Sequence, residues 1–273
     1  MKRTRLGLIS LSLLLALLAW QAVTALADFP SFILPSPWQV AQRLAQTVMD
    51  GSLLRHAAVT LLEVLSGLAL GVSLATVLGY LLARSLPLER LLSPYIVASQ
   101  AIPVVAIAPL LVIWFGPGMF SKVLICALIV FFPVLINTVV GVRSVPADLR
   151  DLLRSLRATR WQTLRLLEAP AALPVFLGGL RVGATLAVIG AVVGEFVGAK
   201  SGLGFLVNVG RGLYDTALVF VAVFTLVGMA LALYGLVAWL ESRLLAWQRQ
   251  PEEASALPPE VFNDNIDDTL LRR

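Results

Sequence analysis

The stretch "DLLRSLRATRWQTLRLLEAP", residues 151–170, is the most charged segment of a chain that is otherwise strongly apolar. It lies between two of the longest apolar runs, and its pattern is helical. Leu149, Leu152, Leu153 and Leu156 recur at the i, i+3, i+4, i+7 spacing of one helix face, while Arg150, Arg154 and Arg157 line another. Upstream, Ser144-Val145-Pro146 reads as a helix start with Pro in the first turn, and Asp148 sits beside the positive end of the helix dipole. Downstream, Thr159-Arg160-Trp161-Gln162 has the form of a capping box that opens a second helix. The segment therefore reads as two short helices joined near Arg157 and Ala158, with Pro170 and Pro174 ending the second one.

The surroundings say where such a hairpin lives. The chain has 273 residues, 59% hydrophobic and only 14% charged, with a mean hydropathy of +0.89. Soluble domains carry about a quarter charged residues, so this composition predicts an all-α integral membrane protein. Apolar runs long enough to span occur at roughly 6–26, 57–83, 93–114, 123–142, 172–198 and 216–240, which predicts six transmembrane helices. The first run, behind "MKRTR", also fits a signal peptide ending at Ala25-Leu26-Ala27, but its length favours a retained span. A lone Cys126 and a lone His56 exclude a disulfide framework and a Cys/His metal cluster within one chain.

The excess of 21 Lys plus Arg over 16 Asp plus Glu sets topology rather than a nucleic-acid partner. With both termini cytoplasmic, Lys2, Arg3, Arg5, Arg84, Arg90, Arg143, Arg150, Arg154, Arg157, Arg160, Arg165, Arg243 and Arg249 fall inside. Only Arg43, Arg55, Lys122, Lys200 and Arg211 fall outside, so the hairpin is a cytoplasmic loop between spans four and five. Residues 34–56 read as an amphipathic helix along the outer surface, with Val40, Leu44, Thr47 and Val48 on its apolar face. Residues 1–249 form the membrane domain, and 250–273 is a polar, acidic, proline-containing cytoplasmic tail expected to be disordered. Physical chemistry alone leaves the hairpin two uses: an interfacial element with its arginines among anionic headgroups, as in a scaffold or integral enzyme, or a docking element for a soluble partner.

In this setting the chain resembles the permease subunits of binding-protein-dependent ABC importers. Their loop signature runs Glu-Ala-Ala, three residues, Gly, nine residues, Ile, one residue, Leu-Pro. Asp151-Leu152-Leu153 falls on Glu-Ala-Ala, Arg157 on Gly, Leu167 on Ile and Ala169-Pro170 on Leu-Pro, with the spacing kept. Arg157 stands where glycine would accommodate a left-handed turn. "ILPSPWQV", "SQAIPVVAIAPLLVIWFGPG", "PAALPVFLGGLRVGATLAVIGAVVGEF" and "SGLGFLV" resemble the branch serving sulfonate, taurine, nitrate, bicarbonate and vitamin-precursor importers, over about residues 30–245.

The resemblance implies that residues 146–170 are a coupling segment seated on an ATPase, with Asp151, Leu152, Leu153, Arg154, Leu156, Arg157, Ala158 and Thr159 as the docking residues. It also implies two permeases, two ATPases and an extracytoplasmic binding protein, in a bacterial plasma (inner) membrane. The chain carries no Gly-x-x-x-x-Gly-Lys-Ser/Thr loop, so it binds no cofactor of its own, and ATP and Mg belong to the partner ATPase. Polar groups within spans are costly and mark candidates for the pathway or gate: Glu63, Asn137 and Glu195, with Arg181 near the cytoplasmic boundary. Pro103 and Pro109 loosen span three, which places Gln100 and Trp114 beside a cavity. The expected cargo is a small organic nutrient such as riboflavin or a thiamine pyrimidine. Sulfonate, taurine, nitrate or bicarbonate is the alternative, disfavoured because these candidates lack a cluster of cations.

Overall fold

A computed structural model describes residues 2–27 and 30–246. In chain order its helices are α1 (Lys2–Leu26), α2 (Pro37–Met49), α3 (Ser52–Arg84), α4 (Leu86–Gln100), α5 (Val104–Phe115) and α6 (Met119–Arg143). After them come α7 (Ala147–Ser155), α8 (Arg160–Thr163), a π-helical turn (Leu164–Glu168), α9 (Ala169–Phe196), α10 (Leu203–Gly212) and α11 (Thr216–Leu244). No strand occurs among the described residues. The tail expected at 250–273 lies outside them.

Four continuous helices are long and apolar enough to cross a membrane: Ser52–Arg84, Met119–Arg143, Arg160–Phe196 and Thr216–Leu244. The run expected as span three, 93–114, is not one loosened helix. It is the pair α4 and α5, bent by 94° at a break of a few residues. Pro103, with φ −63° and ψ 119°, is the N-cap of α5, so α5 starts afresh there instead of continuing α4. Pro109 and Pro94 stay inside their helices and do not interrupt them. The apolar part of α1, Ser10–Leu26, is shorter than a full crossing, and α1 rests on its neighbours through Trp20. Its indole Nε1 donates to the Pro35 carbonyl at 3.1 Å and its ring stacks on Phe220 at 5.3 Å.

The core is a three-helix contact of α3, α6 and α9. Gly67, Gly71, Ala75 and Gly79 place small residues every fourth position along α3, and all four are buried. A Cβ on Gly67 would fall 2.2 Å from the Cys126 Cβ, and one on Gly71 would fall 2.7 Å from the Ala127 carbonyl. In lipid, where apolar burial between helices supplies little driving force, this close approach substitutes van der Waals contact for it. Val64, Cys126, Val130, Val134, Ala184, Ala187 and Ala191 fill the resulting seam. The expected amphipathic helix is present as α2, opened by a capping box at Ser36 and Gln39. Val40 and Thr47 are buried, while Leu44 and Val48 are exposed.

Candidate functional site

The quoted hairpin forms as two helices, and its turn can be followed bond by bond. Pro146 is the N-cap of α7, one position earlier than a Pro in the first turn. At the other end Leu156 closes the helix, the Arg157 amide donates to the Arg154 carbonyl at 2.9 Å, and the Ala158 amide donates to the Leu153 carbonyl at 2.9 Å. That 6→1 and 5→2 pair is a Schellman closure, whose C′ residue must be left-handed. Arg157 takes it at φ +55°. The position where a glycine is expected thus keeps the glycine conformation without the glycine.

Thr159 then caps α8. Its hydroxyl accepts from the Gln162 amide at 3.3 Å, and the Gln162 side chain accepts from the Thr159 amide at 2.7 Å. Pro170 and Pro174 do not end the second helix, contrary to the sequence expectation. Residues Arg160–Phe196 run on as one span of 37 residues. The π turn explains the continuity: the Ala169 amide donates to the Leu164 carbonyl, five residues back. The wider turn gives the Pro170 ring room against the preceding turn, where an α-helix would clash.

On α7, Leu152 and Leu156 are 55% and 69% exposed, as are Arg154 and Arg157, and Leu153 is half-buried. Asp151 pairs with Arg154 at 3.0 Å on the surface. Asp151, Leu152, Arg154, Leu156, Arg157 and Thr159 therefore stand on one exposed elbow, with Leu153 and Ala158 at its root. Exposed leucines flanked by cations give this elbow an apolar centre with a basic rim.

The candidates at the other end fall into a second cluster. Along α3, Glu63 lies 21 positions before Arg84, an axial distance of about 32 Å at 1.5 Å per residue and so about one hydrocarbon thickness. Glu63 is 1% exposed, and its Oε1 accepts from Lys122 Nζ at 2.8 Å. Lys122 is 5% exposed, and belongs to this buried pair rather than to an outer loop. Glu195, also 1% exposed, accepts from the Thr60 hydroxyl at 2.7 Å and from the Gly204 amide. The Thr60 oxygen in turn accepts from the Leu203 amide at 2.8 Å, and His56 Nδ1 accepts from the Gly202 amide at 3.0 Å. Three consecutive amides at the start of α10 are thus held by α3 and α9. Gly202 sits at φ +116°, and a Cβ there would lie 2.2 Å from the Glu195 carboxyl carbon. "GEF" and "SGLG" are two halves of one buried lock.

The remaining candidates are dispersed. Gln100, at the end of α4, and Trp114, in α5, are exposed. The Asn137 amide donates to the Pro133 carbonyl at 2.8 Å, and a Cβ on Gly179 would meet its Cβ at 2.6 Å, so it fills an α6–α9 contact. Arg181 is paired with Glu241 and lies 5.1 Å over the Tyr234 ring, both on α11. Sequence reasoning passes over Glu168, the one residue of the hairpin region that is completely buried as a charge. It sits on the π turn with Arg84 at 3.1 Å and Arg150 at 3.5 Å.

Residues 67–246 match the family described as "Binding-protein-dependent transport system inner membrane component". The chain belongs to this family. It is 51% identical over 237 residues to the riboflavin transport system permease protein RibX of Chloroflexus aurantiacus, covering 87% of this chain and 88% of that one. It is 36% identical over 241 residues to the formylaminopyrimidine transport permease protein ThiX of Halalkalibacterium halodurans, covering 88% and 96%. The fold resembles a chain of the MetNI methionine ABC transporter in an inward-facing conformation, with TM-score 0.63 and 19% identity over 72% of this chain and 97% of that one. The protein is an ABC transporter permease subunit, a multi-pass transport component and not an enzyme. That membership removes the scaffold and integral-enzyme readings of the basic hairpin.

Proposed function

We propose that the chain imports a small organic nutrient of the vitamin-precursor kind, riboflavin or a thiamine pyrimidine precursor, as one half of a homodimeric pathway in a bacterial inner membrane. The observation that carries the cargo is the high identity to a riboflavin permease, maintained across nearly the whole length of both chains. The exposed, uncharged pathway candidates Gln100 and Trp114 offer a hydrogen-bonding amide and an aromatic face, which suit a neutral heterocycle better than an oxyanion. A sulfonate, taurine, nitrate or bicarbonate would call for cations there.

In this reading residues 1–249 are the permease domain and 250–273 a cytoplasmic tail, with both termini inside. Two ATPase subunits hold ATP and Mg, and an extracytoplasmic binding protein delivers the cargo. The exposed elbow of α7 seats on the ATPase: Leu152, Leu153 and Leu156 enter an apolar groove, and Arg154 and Arg157 meet acidic groups, with Asp151, Ala158 and Thr159 fixing the turn. Closure of the ATPase pair moves the elbow as a rigid body, since a Schellman closure and a capping box leave no loose link between α7 and α8. At the outer end Glu195 and Glu63 act as gate elements: Glu195 holds the start of α10 against α3 together with Thr60, and Glu63 ties α3 to α6 through Lys122.

The test is reconstitution of the permease with its ATPase and binding protein in proteoliposomes. ATP-dependent accumulation of riboflavin or formylaminopyrimidine is the expected result. Accumulation of taurine or another sulfonate instead would overturn the cargo assignment. L152D/L153D is expected to release the ATPase in detergent, and its retention would overturn the seat.

A further inference from the structure

We infer that Glu168 is a positioning residue for coupled transport: it clamps the ATPase-facing helix α7 to the cytoplasmic end of span α3, so that a push on α7 reaches the membrane core. The inference rests on the proposed seating of α7 and extends it to a residue that no ATPase can touch, because Glu168 is 0% exposed.

The clamp draws on four elements. Glu168 comes from the π turn that leads into α9. Arg84, in the last turn of α3, reaches its Oε2 at 3.1 Å, and the Tyr80 hydroxyl, one turn earlier, donates to the same oxygen at 3.3 Å. Arg84 Nε donates to that hydroxyl at 3.2 Å, closing a small ring. Arg150, from the first half of α7, places its Nε 3.5 Å from Oε1 and donates from Nη2 to the Val142 carbonyl at the end of α6 at 2.6 Å. One carboxylate therefore ties α7 to the ends of the α3, α6 and α9 spans.

Local geometry explains why a carboxylate is here. A π turn inserts an extra residue into the helical register, so the side chains around it are re-aimed relative to a plain α-helix. Leu166 is 67% exposed and Glu168 fully buried, an inversion of what hydropathy alone would choose. A buried charge is retained only where partners offset it: Oε2 takes the Tyr80 hydrogen bond and the Arg84 ion pair, while Oε1 meets Arg150 as an ion pair without a hydrogen bond, and the two guanidiniums are 32% and 27% exposed. A buried ion pair is weak evidence for added stability, so the role inferred for this one is to fix orientation, the property a lever needs. A purely apolar packing at this point would let α7 tilt without dragging α3.

The tie makes a prediction that separates a lever from a structural pin. E168Q keeps the size and most hydrogen bonds but loses the charge that gathers two arginines. In proteoliposomes with ATPase and binding protein, E168Q is expected to retain the ATPase and its unstimulated hydrolysis. Binding-protein stimulation and transport per ATP should fall at least about tenfold, equivalent to about 1.4 kcal/mol of lost coupling. E168D, which keeps the charge on a shorter arm, should recover part of it. An E168Q complex with unchanged stimulation and transport per ATP overturns the inference. If E168Q does not assemble, R84Q is the second variant, since the Arg150 cation and the Tyr80 hydroxyl still face the buried Glu168 carboxylate. An assembled R84Q complex with wild-type transport per ATP overturns the inference equally, and one with reduced stimulation supports it. Failure of the underlying seat shows differently, as ATPase retained by L152D/L153D.

Discussion

Among the described residues two non-glycine residues carry backbone strain, and each does so at the same kind of place. Arg157 and Tyr214 have φ of +55° and +56°, and each is the C′ residue of a Schellman closure, after α7 and after α10. A left-handed L-residue costs about 1–2 kcal/mol, which glycine avoids. R157G should therefore raise the melting temperature of the purified permease, and R157V, β-branched and worse in this region, should lower it. Equal melting of all three forms would show that the turn is not strained. Gly202 is the opposite case, a glycine that cannot be replaced. Its positive φ and the 2.2 Å approach of a Cβ to the Glu195 carboxyl make G202A expel that carboxylate from its lock. G212A, where nothing lies within 4 Å of the new methyl, is the matched control. G202A is expected to lose about 2–4 kcal/mol of stability, combining strain with an unsatisfied buried acid. G212A should stay near wild type in the same thermal assay.

At the scale of elements, the hairpin is legible in sequence because its determinants are local. The leucine stripe, the Thr159 to Gln162 cap and the spacing around Arg157 all lie within a turn or two of one another. The buried carboxylate cluster is only half legible: Glu63 and Glu195 stand out as carboxylates inside apolar runs, but Lys122 reads as a loop cation. Its partner is 59 positions away, and only the packing of α6 on α3 brings them to 2.8 Å. The direction of the break between α4 and α5 is likewise invisible, because Pro103 fixes where a helix restarts and not the 94° at which it leaves. Glu168 is hidden for a third reason, the π turn that shifts side-chain register. The Lys122–Glu63 pair carries an element-scale prediction. K122M leaves Glu63 and its neighbour Glu195 buried without their cation, which costs about 3–5 kcal/mol where one member of a buried pair is removed. The double variant E63Q/K122M should recover most of that loss in thermal unfolding. A double variant no more stable than K122M would show that the two side chains do not act as a pair.

For the whole molecule, the arrangement puts a tight lock at one end of the α3, α6 and α9 bundle and an exposed elbow at the other. The bundle between them is packed through small residues, with Gly67, Gly71 and Gly79 on α3 and Gly190 on α9 each leaving no room for a methyl. Such packing transmits displacement because it has no soft layer to absorb it. If the elbow seats on the ATPase as proposed, charge and apolar contact can be told apart with salt. Arg154 is already paired with Asp151 at the surface, so part of its charge is spent within α7, and Arg157 is not in an ion pair among the described residues. If both arginines meet acidic groups on the ATPase, raising ionic strength from 0.05 to 0.5 M should weaken the wild-type complex several-fold, because the Debye length falls below the span of the interface. R154E/R157E should then bind weakly at low salt and gain affinity as salt screens the repulsion. L152A/L156A should weaken binding equally at every ionic strength, since apolar contact is not screened. A wild-type complex indifferent to salt, together with a strong loss in L152A/L156A, would assign the seat to the leucines alone and leave the arginines facing the lipid headgroups.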